Sequence, residues 1–501
     1  MSIETALLNA LTGDKETHPE RMCATIGRLK EVLNIVCPDK SAGIFDKYLK
    51  NACKPDKNGI AFLTGKAAAK ISKVLAKYLT AKEAKNTAAF LNDAEISTCE
   101  AVALHETYKI PVSRLEKDVV FVRADGVWLF DTLGNKYIDM DSNYSATNLG
   151  NENKEIALGL FNQACQLIST KEDRVHIPRA RFLSVIQPML PKGLSQFYWQ
   201  NSGGEAVDKA LKIAKAYTKQ KGVIALKGGF HGRTHGAVAV TYNEKYRVPF
   251  LLDKEDWVHF IEHNDAAAVE ALMQSGKAKA IIMELVQGEE AGIRPLDMDF
   301  VKKVRVICDK YNGVMICDEV QTGFGRVAAK KGQWWASDVY GIVPDIMSIG
   351  KSFGGGYPVT AVVTTPEISS AMHPGYDGST FGGNPMAMVA AYLATRQMID
   401  RNITGNVVAR SKQFKAGIEK IKKIYPDFIG EIRILGLMIG FELPSKEIVA
   451  QMQEHLREFH VHSSLSTGNA IRFLPPLVIS GKETDITLKG IQNALAKIAG
   501  R

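Results

Sequence analysis

Short apolar runs recur through the middle of the chain at Val223–Leu226, 280–285, Val314–Asp318 and 345–349, each separated from the next by enough residues for a covering helix. Between the second and third runs, Phe300, Val301, Val304, Ile307 and Tyr311 fall on one helical face. Unbroken apolar runs of this length suit strands buried on both faces, and strands that alternate with helices are joined by crossovers that leave them parallel. The expected fold class is therefore α/β, with a large, mostly parallel sheet covered by helices. Ligands of such sheets bind at the carboxyl ends of the strands. Asp318 closes one run, and Lys351 follows another after a single glycine.

The texture differs on either side. Residues 1–101 read as helical, with Ile26, Leu29, Val32, Leu33 and Val36, and later Ile71, Val74, Leu75 and Leu79, at helical spacing. Turns are expected at Pro38-Asp39-Lys40 and at Pro55-Asp56-Lys57-Asn58-Gly59. Near Val119 the pattern changes to Val119-Val120-Phe121-Val122 and Val127-Trp128-Leu129-Phe130, with turns at Asp125-Gly126 and Leu133-Gly134-Asn135, a β-meander. Towards the end, 433–443 is strand-like and 485–498 reads as a closing amphipathic helix. These shifts predict a helical extension over 1–101, the N-terminal part of a small domain over 102–155, a large domain over 156–404 and a C-terminal small domain over 405–501.

The 501 residues, 46% hydrophobic and 23% charged, suffice for more than one core. A net charge of +9 raises nucleic acid as a partner, but the lysines are interspersed with acids and no basic block is interleaved with aromatics. Neither nucleic acid nor a membrane is expected, and the excess charge suits anionic metabolites. No apolar run is long enough to cross a bilayer, and the first residues lack the pattern of a signal or transit peptide. Cys23, Cys37, Cys53, Cys99, Cys165, Cys308 and Cys317 are scattered, giving neither a disulfide framework nor a zinc knuckle. A cytoplasmic protein with reduced thiols and no metal is the expectation.

Several motifs carry chemistry. Asn201-Ser202-Gly203-Gly204-Glu205 precedes a helical run with Val207, Ala210, Leu211, Ala214 and Tyr217 on one face, so amides at a helix N-terminus would form an anion site suited to a phosphate. The plain alternative is an ordinary capped helix. Phe230-His231-Gly232-Arg233-Thr234 places a ring that can stack on a planar cofactor, and a cation, on a loop at the sheet's edge. A core phenylalanine beside a surface arginine is the plain alternative there. Asp318, poorly solvated at a strand end, must be paired; against a pyridinium N–H it would keep the ring protonated and electron-withdrawing. Val320 would pack on such a ring and Gln321 would bond its hydroxyl, whereas a helix cap is the plain reading of this acid. Lys351 offers an amine able to form a Schiff base; most lysines are solvated surface groups, and it is Asp318 and the two Gly-rich loops that single this one out. Together these are the parts of pyridoxal phosphate (PLP) chemistry.

With these motifs in place, residues from about 104 to 498 resemble the class III aminotransferases of the fold-type I PLP enzymes, especially ornithine and acetylornithine aminotransferases. The resemblance rests on Asn201-Ser202-Gly203-Gly204-Glu205-Ala206, Phe230-His231-Gly232-Arg233-Thr234, Glu284 through Gly288-Glu289, Asp318-Glu319-Val320-Gln321-Thr322-Gly323, Lys351 and Ser379-Thr380-Phe381-Gly382-Gly383-Asn384-Pro385, in the family's order. It implies that Ser202, Gly203 and Gly204 hold the phosphate, that Phe230 and Val320 flank the ring, and that Asp318 meets its nitrogen and Gln321 its hydroxyl. It implies further that Lys351 forms the internal aldimine and that Thr380 reaches the phosphate of a neighbouring subunit, making a homodimer with shared active sites. For the substrate it implies that Arg472 grips a carboxylate in a bidentate fork and that Glu289 masks this arginine while an ω-amine enters. Tyr144 would lie over the substrate as in the ornithine branch, Arg233 would be a second carboxylate contact as in the acetylornithine branch, and Ser379 joins the substrate-binding set. The chain departs from the pattern at Gly150-Asn151-Glu152-Asn153-Lys154, where relatives show Gly-His-x-His-Pro, at Leu285, which replaces a proline, and at Ile434-Leu435, which interrupts an Arg-Gly pair after Arg433. These departures bear on the loops around the substrate and leave the cofactor motifs intact.

The expected activity is ping-pong transamination from a basic or ω-amino acid to a 2-oxo acid such as 2-oxoglutarate, with Lys351 moving the proton between substrate carbon and cofactor. Ornithine is the favoured donor, with acetylornithine, lysine and 4-aminobutyrate as the others. A PLP-dependent racemase, epimerase or aminomutase of the same fold is the alternative, followed by a non-catalytic binding protein. The helices of residues 1–101 would pack on the dimer, cap the site entrance or bind another protein, and no ligand motif there decides among these.

Overall fold

The computed structural model describes Leu7, Leu29, Leu33, Lys40 and residues 65–92, 98–113, 115–117, 119–289, 292–463 and 468–500. The chain separates into two compact units, one of Met1–Val122 with Asp131–Gly134 and one of Arg123–Phe130 with Asn135–Arg501. In the first, helices span Gly65–Tyr78, Ala81–Asn92 and Thr98–Tyr108. Ile71, Leu75 and Leu79, expected to share a face, are buried, while Lys70, Lys73 and Lys77 are exposed. The second helix begins where it does because Thr80 and Glu83 cap each other's amides, Thr80 N donating to Glu83 Oε2 at 2.7 Å and Glu83 N to Thr80 Oγ1 at 3.3 Å. Ile26, Val32, Val36, Pro38-Asp39 and the turn from Pro55 lie outside the described residues, and Lys40 is helical rather than part of a turn.

In chain order the strands are β1 (Phe121–Asp125), β2 (Trp128–Asp131), β3 (Lys136–Asp139), β4 (Gln196–Gln200), β5 (Val223–Leu226), β6 (Val258–Ile261), β7 (Ala280–Met283), β8 (Val286–Gln287), β9 (Arg294–Pro295), β10 (Val314–Asp318), β11 (Ile346–Ile349), β12 (Thr360–Thr364), β13 (Ile432–Leu435), β14 (Met438–Glu442), β15 (Val461–His462) and β16 (Ala470–Phe473). The meander expected near Val119 is β1 to β3, and β15 joins β3 in parallel.

The central sheet has the order β4-β12-β11-β10-β7-β5-β6. Its strands run parallel except β12, which is antiparallel to both neighbours. The four runs that suggested a parallel sheet are β5, β7, β10 and β11, all wholly buried. Their successive residues serve opposite layers, as the two-residue period of a strand requires. Val223, Ala225, Ala280, Ile282, Val314 and Ile316 pack with Ala206, Val207, Ala210 and Leu211 of helix Gly203–Thr218. Ile224, Leu226, Ile281, Met283, Met315 and Cys317 pack with Phe300, Val301, Val304 and Ile307 of helix Met298–Lys310. Each valine, leucine, isoleucine, methionine or phenylalanine among them, fully withdrawn from water, contributes roughly 1.5–3 kcal/mol, and the alanines less. Because all the parallel strands point the same way, the ends of β10 and β11 lie side by side, with Asp318 in register with Ser348.

A smaller antiparallel sheet follows, β13-β14-β16, in which Arg433, Gly440 and Arg472 form one row across three strands. The closing helix is Gly481–Ile498, four residues longer at its start than the apolar spacing suggests, because Ser480 and Glu483 form a capping box ahead of it.

Candidate active site

A cavity of about 600 Å³ opens at the carboxyl ends of β10 and β11, within the second unit. Asp318 and Lys351 both line it, as do Ser202, Gly203, Gly204, Phe230, Arg233, Glu289, Val320 and Gln321. The residues singled out from scattered stretches of sequence therefore meet in one place.

Asp318 is held in a fixed ionic setting. Its Oδ2 accepts from His231 Nδ1 at 2.8 Å and its Oδ1 from the Val320 amide at 3.2 Å. A carboxylate only accepts, so His231 carries its proton on Nδ1, and its buried Nε2 makes no hydrogen bond among the described residues. Beside them Glu284 lines the cavity and accepts from the amides of Phe230 at 2.8 Å and Gly288 at 3.3 Å. Burial pushes its pKa up to about 7, opposed by His231 and reinforced by Asp318. An acid whose folded pKa exceeds its ordinary 4.5 keeps, between the two values, a proton that the unfolded chain releases. Stability therefore falls as pH rises through that window. Between pH 4.5 and 7 the cofactor-free protein should lose on the order of 2–3 kcal/mol relative to Glu284→Gln, a difference that calorimetric Tm values across pH will show. Superimposable pH curves for the two proteins would contradict this account of Glu284.

The phosphate-sized corner is built from backbone. Ser202 caps helix Gly203–Thr218 and exchanges bonds with Glu205, whose carboxylate also accepts from the Asn201 amide at 3.0 Å. Thr360 Oγ1 donates to Ser202 O at 2.9 Å, tying the cap to β12. The plain reading of a capped helix holds, since the box satisfies Ser202 and Glu205, and Gly203 and Gly204 line the cavity. A Cβ on Gly203 would stand 3.0 Å from Val320 Cγ1, and one on Gly204 2.9 Å from Thr234 Oγ1, so this wall admits only glycine without rearrangement. An amide cradle at a helix N-terminus, an aromatic face, a paired carboxylate and an amine around such a volume fit PLP.

Lys351 stands at φ +47°, a torsion that costs a side-chain-bearing residue on the order of 1–3 kcal/mol. Burial pushes its pKa down to about 8, with Glu289 opposing that shift and Arg472 adding to it. Phe230 meets Tyr246 edge to face at 5.8 Å, and the Arg233 guanidinium lies 4.3 Å from the Tyr246 ring.

Arg472 sits behind Glu289, as the resemblance implied, and does not itself line the cavity. Arg472 is buried; its Nη1 donates to Gly288 O at 2.9 Å and forms an ion pair with Glu289, which stands between it and the cavity. The Tyr144 ring centre lies 5.6 Å from the Arg472 guanidinium carbon, and the Gln321 side-chain amide donates to Tyr144 O at 3.3 Å. Ser379 and Thr380 do not line the cavity: the Ser379 amide donates to Glu172 Oε2 at 2.7 Å, and Thr380 is exposed. Of the family departures, Asn151 Nδ2 donates to Asp139 Oδ2 at 2.7 Å, and Asn153 caps helix Lys154–Ala164 while pairing with Gln397.

Sequence reasoning assigned no role to His231, Glu284 or Arg326. Glu284 carried the same signal as Asp318, an acid closing a buried apolar run. Arg326 is fully buried, and burial pushes its pKa down to about 9. It donates to Leu437 O at 3.2 Å, to Pro475 O, to Ser142 Oγ at 3.4 Å and to Asn148 Oδ1. One of those bonds reaches Ser142, the first residue of a left-handed turn, Ser142–Ser145, whose residues have φ of 44°, 49°, 55° and 78° and whose Ser142 and Tyr144 amides donate to Asp139 and Asp141. No sequence signal marks it, since none of the four is glycine.

The sequence model of the family described as Aminotransferase class-III matches residues 111–495. Acetylornithine aminotransferase of Archaeoglobus fulgidus is 36% identical over 369 residues, 73% of this chain and 93% of that protein. A LysW-aminoadipate semialdehyde/glutamate semialdehyde transaminase of Sulfurisphaera tokodaii is 33% identical over 373 residues, 74% of this chain and 93% of its own. Among solved structures, ornithine aminotransferase of Toxoplasma gondii is similar with a TM-score of 0.75 at 25% identity, over 81% of this chain and 96% of that one. Acetylornithine aminotransferase of Elizabethkingia anophelis gives 0.69 at 28%, over 80% and 99%. The family match covers most of the chain and includes every motif around the cavity, so this chain belongs to the class III aminotransferases, PLP-dependent enzymes of fold-type I.

Proposed function

We propose that the chain moves an amino group by a ping-pong route from a basic or ω-amino acid, ornithine foremost, to a 2-oxo acid such as 2-oxoglutarate. The Glu289–Arg472 pair in the cavity wall carries this reading. With Glu289 over the arginine, the site receives a substrate that enters amine first; with Glu289 displaced, the guanidinium grips a carboxylate in a fork. Two substrates with different leading ends can then share one site. Tyr144 beside Arg472 supports ornithine, and the similarity to proteins named ornithine and acetylornithine aminotransferases agrees with that class of donor.

PLP, when bound, supplies an electrophilic aldehyde and an electron-withdrawing ring. The Gly203 and Gly204 amides, with Ser202, would hold its phosphate, Phe230 and Val320 would flank the ring, Asp318, bonded to His231, would keep a proton on the ring nitrogen, and Gln321 would bond the ring hydroxyl. Lys351 Nζ would hold the cofactor through its aldehyde and, when free, would accept a proton from the substrate carbon, and a pKa of about 8 keeps part of it as free amine at neutral pH. Arg233 is a second carboxylate contact. Thr380, exposed on its loop, and Ser379 serve a neighbouring copy, so the working unit is a homodimer; exposed Leu158, Phe161, Ile168 and Phe381 support such an interface. Residues 156–404 hold the cofactor and 405–501 contribute Arg472. No helix among the described residues is long and apolar enough to cross a membrane, which agrees with a cytoplasmic enzyme.

A donor panel tests the proposal. Presented singly to PLP-loaded protein without an acceptor, ornithine should release one carbonyl product per site, with a specificity constant at least about tenfold above those of acetylornithine, lysine and 4-aminobutyrate. A different donor in first place would replace ornithine, and donor turnover with no carbonyl product would favour the racemase or aminomutase reading.

A further inference from the structure

The loop that carries Glu289 is fastened at both ends. β8 and β9 pair antiparallel as a hairpin whose connection, residues 288–293, bears Glu289. At its near end Arg472 bonds Gly288 O and Glu289. At its far end Arg433 Nε donates to Ile293 O at 2.8 Å and Nη2 to Gly292 O at 3.4 Å. Between the two arginines in the same cross-strand row stands Gly440, whose missing Cβ would lie 2.4 Å from Gly292 O and 3.1 Å from Ile293 Cβ. The row thus has a grip, a gap and a grip, and the gap is what lets Gly292 and Ile293 lie against the sheet.

The far end needs holding. Ile293 has φ +64°, a torsion that a β-branched residue adopts only under constraint. Arg433 is no substrate ligand: its Nη1 pairs with Glu442 at 2.8 Å and with Glu431, so its charge is already balanced. We propose that Arg433, with Gly440 beside it, is a positioning residue that keeps the Glu289 loop seated on Arg472 and so sets how strongly the site prefers an ω-amino donor over a dicarboxylate. This inference rests on the gate reading of Glu289 given above.

Arg433→Lys keeps the charge beside Glu442 but cannot span both carbonyls, and Gly440→Ala pushes directly on Gly292 O. Either variant should raise hydrogen–deuterium exchange in the 286–295 peptide about tenfold in cofactor-free and loaded protein alike. Either should also tighten glutarate binding, measured by calorimetry, about tenfold and lower the ornithine-to-glutamate ratio of kcat/KM by a similar factor. In a Glu289→Gln background the same changes should add less than about twofold to that ratio, because the group they position is gone. Wild-type exchange and wild-type discrimination in both variants would overturn the proposal, as would an equal effect in the Glu289→Gln background. Should Arg433→Lys fail to fold, Gly440→Ala carries the test alone. If Glu289→Gln by itself leaves the ratio unchanged, the gate reading fails, whereas the exchange measurement still judges the clamp.

Discussion

Lys351→Ala removes amino transfer: kcat should drop by at least about four orders of magnitude, and borohydride should no longer fix the cofactor to the peptide that spans position 351. The loss is chemical rather than structural. Alanine inherits the φ of +47° without added crowding, and the amine it removes is one that the fold buries at a cost. Lysine's ordinary 10.5 falls to about 8 here, so below pH 8 both folded and unfolded chains carry the charge and the folded one bears the desolvation cost. That cost fades as pH rises from 8 towards 10.5, because the folded protein has already released its proton. The cofactor-free alanine variant should therefore melt higher than the wild type below pH 8 and converge with it above 10.5. Turnover by the variant near the wild-type rate, or a retained borohydride adduct at position 351, would remove Lys351 from its proposed role.

Asp318→Asn ranks second. The substitution is nearly isosteric, and its carbonyl can still accept from His231 or Val320, so the fold should persist. What disappears is a negative charge against the ring nitrogen. Charge-assisted hydrogen bonds are worth about 1.5–3 kcal/mol, which corresponds to a ten- to hundredfold weaker hold on PLP in a fluorescence titration. Without a protonated ring the electron sink is lost, and kcat at saturating PLP should fall by about three orders of magnitude, equivalent to ~4 kcal/mol of barrier. Changes of less than tenfold in both quantities would show that Asp318 is only a cap.

The central sheet was legible because β5, β7, β10 and β11 are apolar at every position except Ser348 and the closing Asp318. β12 was not, because Thr360 and Thr364 close it at both ends and it runs against its neighbours, a choice that local sequence does not encode. Asp318 and Lys351 could be placed at strand ends from the sequence, yet the partnership of Asp318 with His231 depends on a loop after β5 arriving beside β10, a consequence of strand order. The pairing of Glu289 with Arg472 was legible from the motif, but the near-complete burial of the cation was not, since that is decided by the elements around it. Ser379 and Thr380 were legible only as a motif, because one copy of the chain brings neither to the cavity.

The turn Ser142–Ser145 has a consequence for changing donor preference. Side-chain-bearing residues in left-handed torsions cost roughly 1–2 kcal/mol each, so this segment would not keep its shape alone, and it is tied down by Asp139 and Asp141 at its amides and by Arg326 at Ser142 Oγ. Randomising positions 143–145 would therefore sample a restricted alphabet, with glycine, asparagine and aspartate tolerated and β-branched residues rejected before any substrate is met. A laboratory selection for new donors would do better to vary Arg233, which lines the cavity against the Tyr246 ring and is not among the residues held at positive φ.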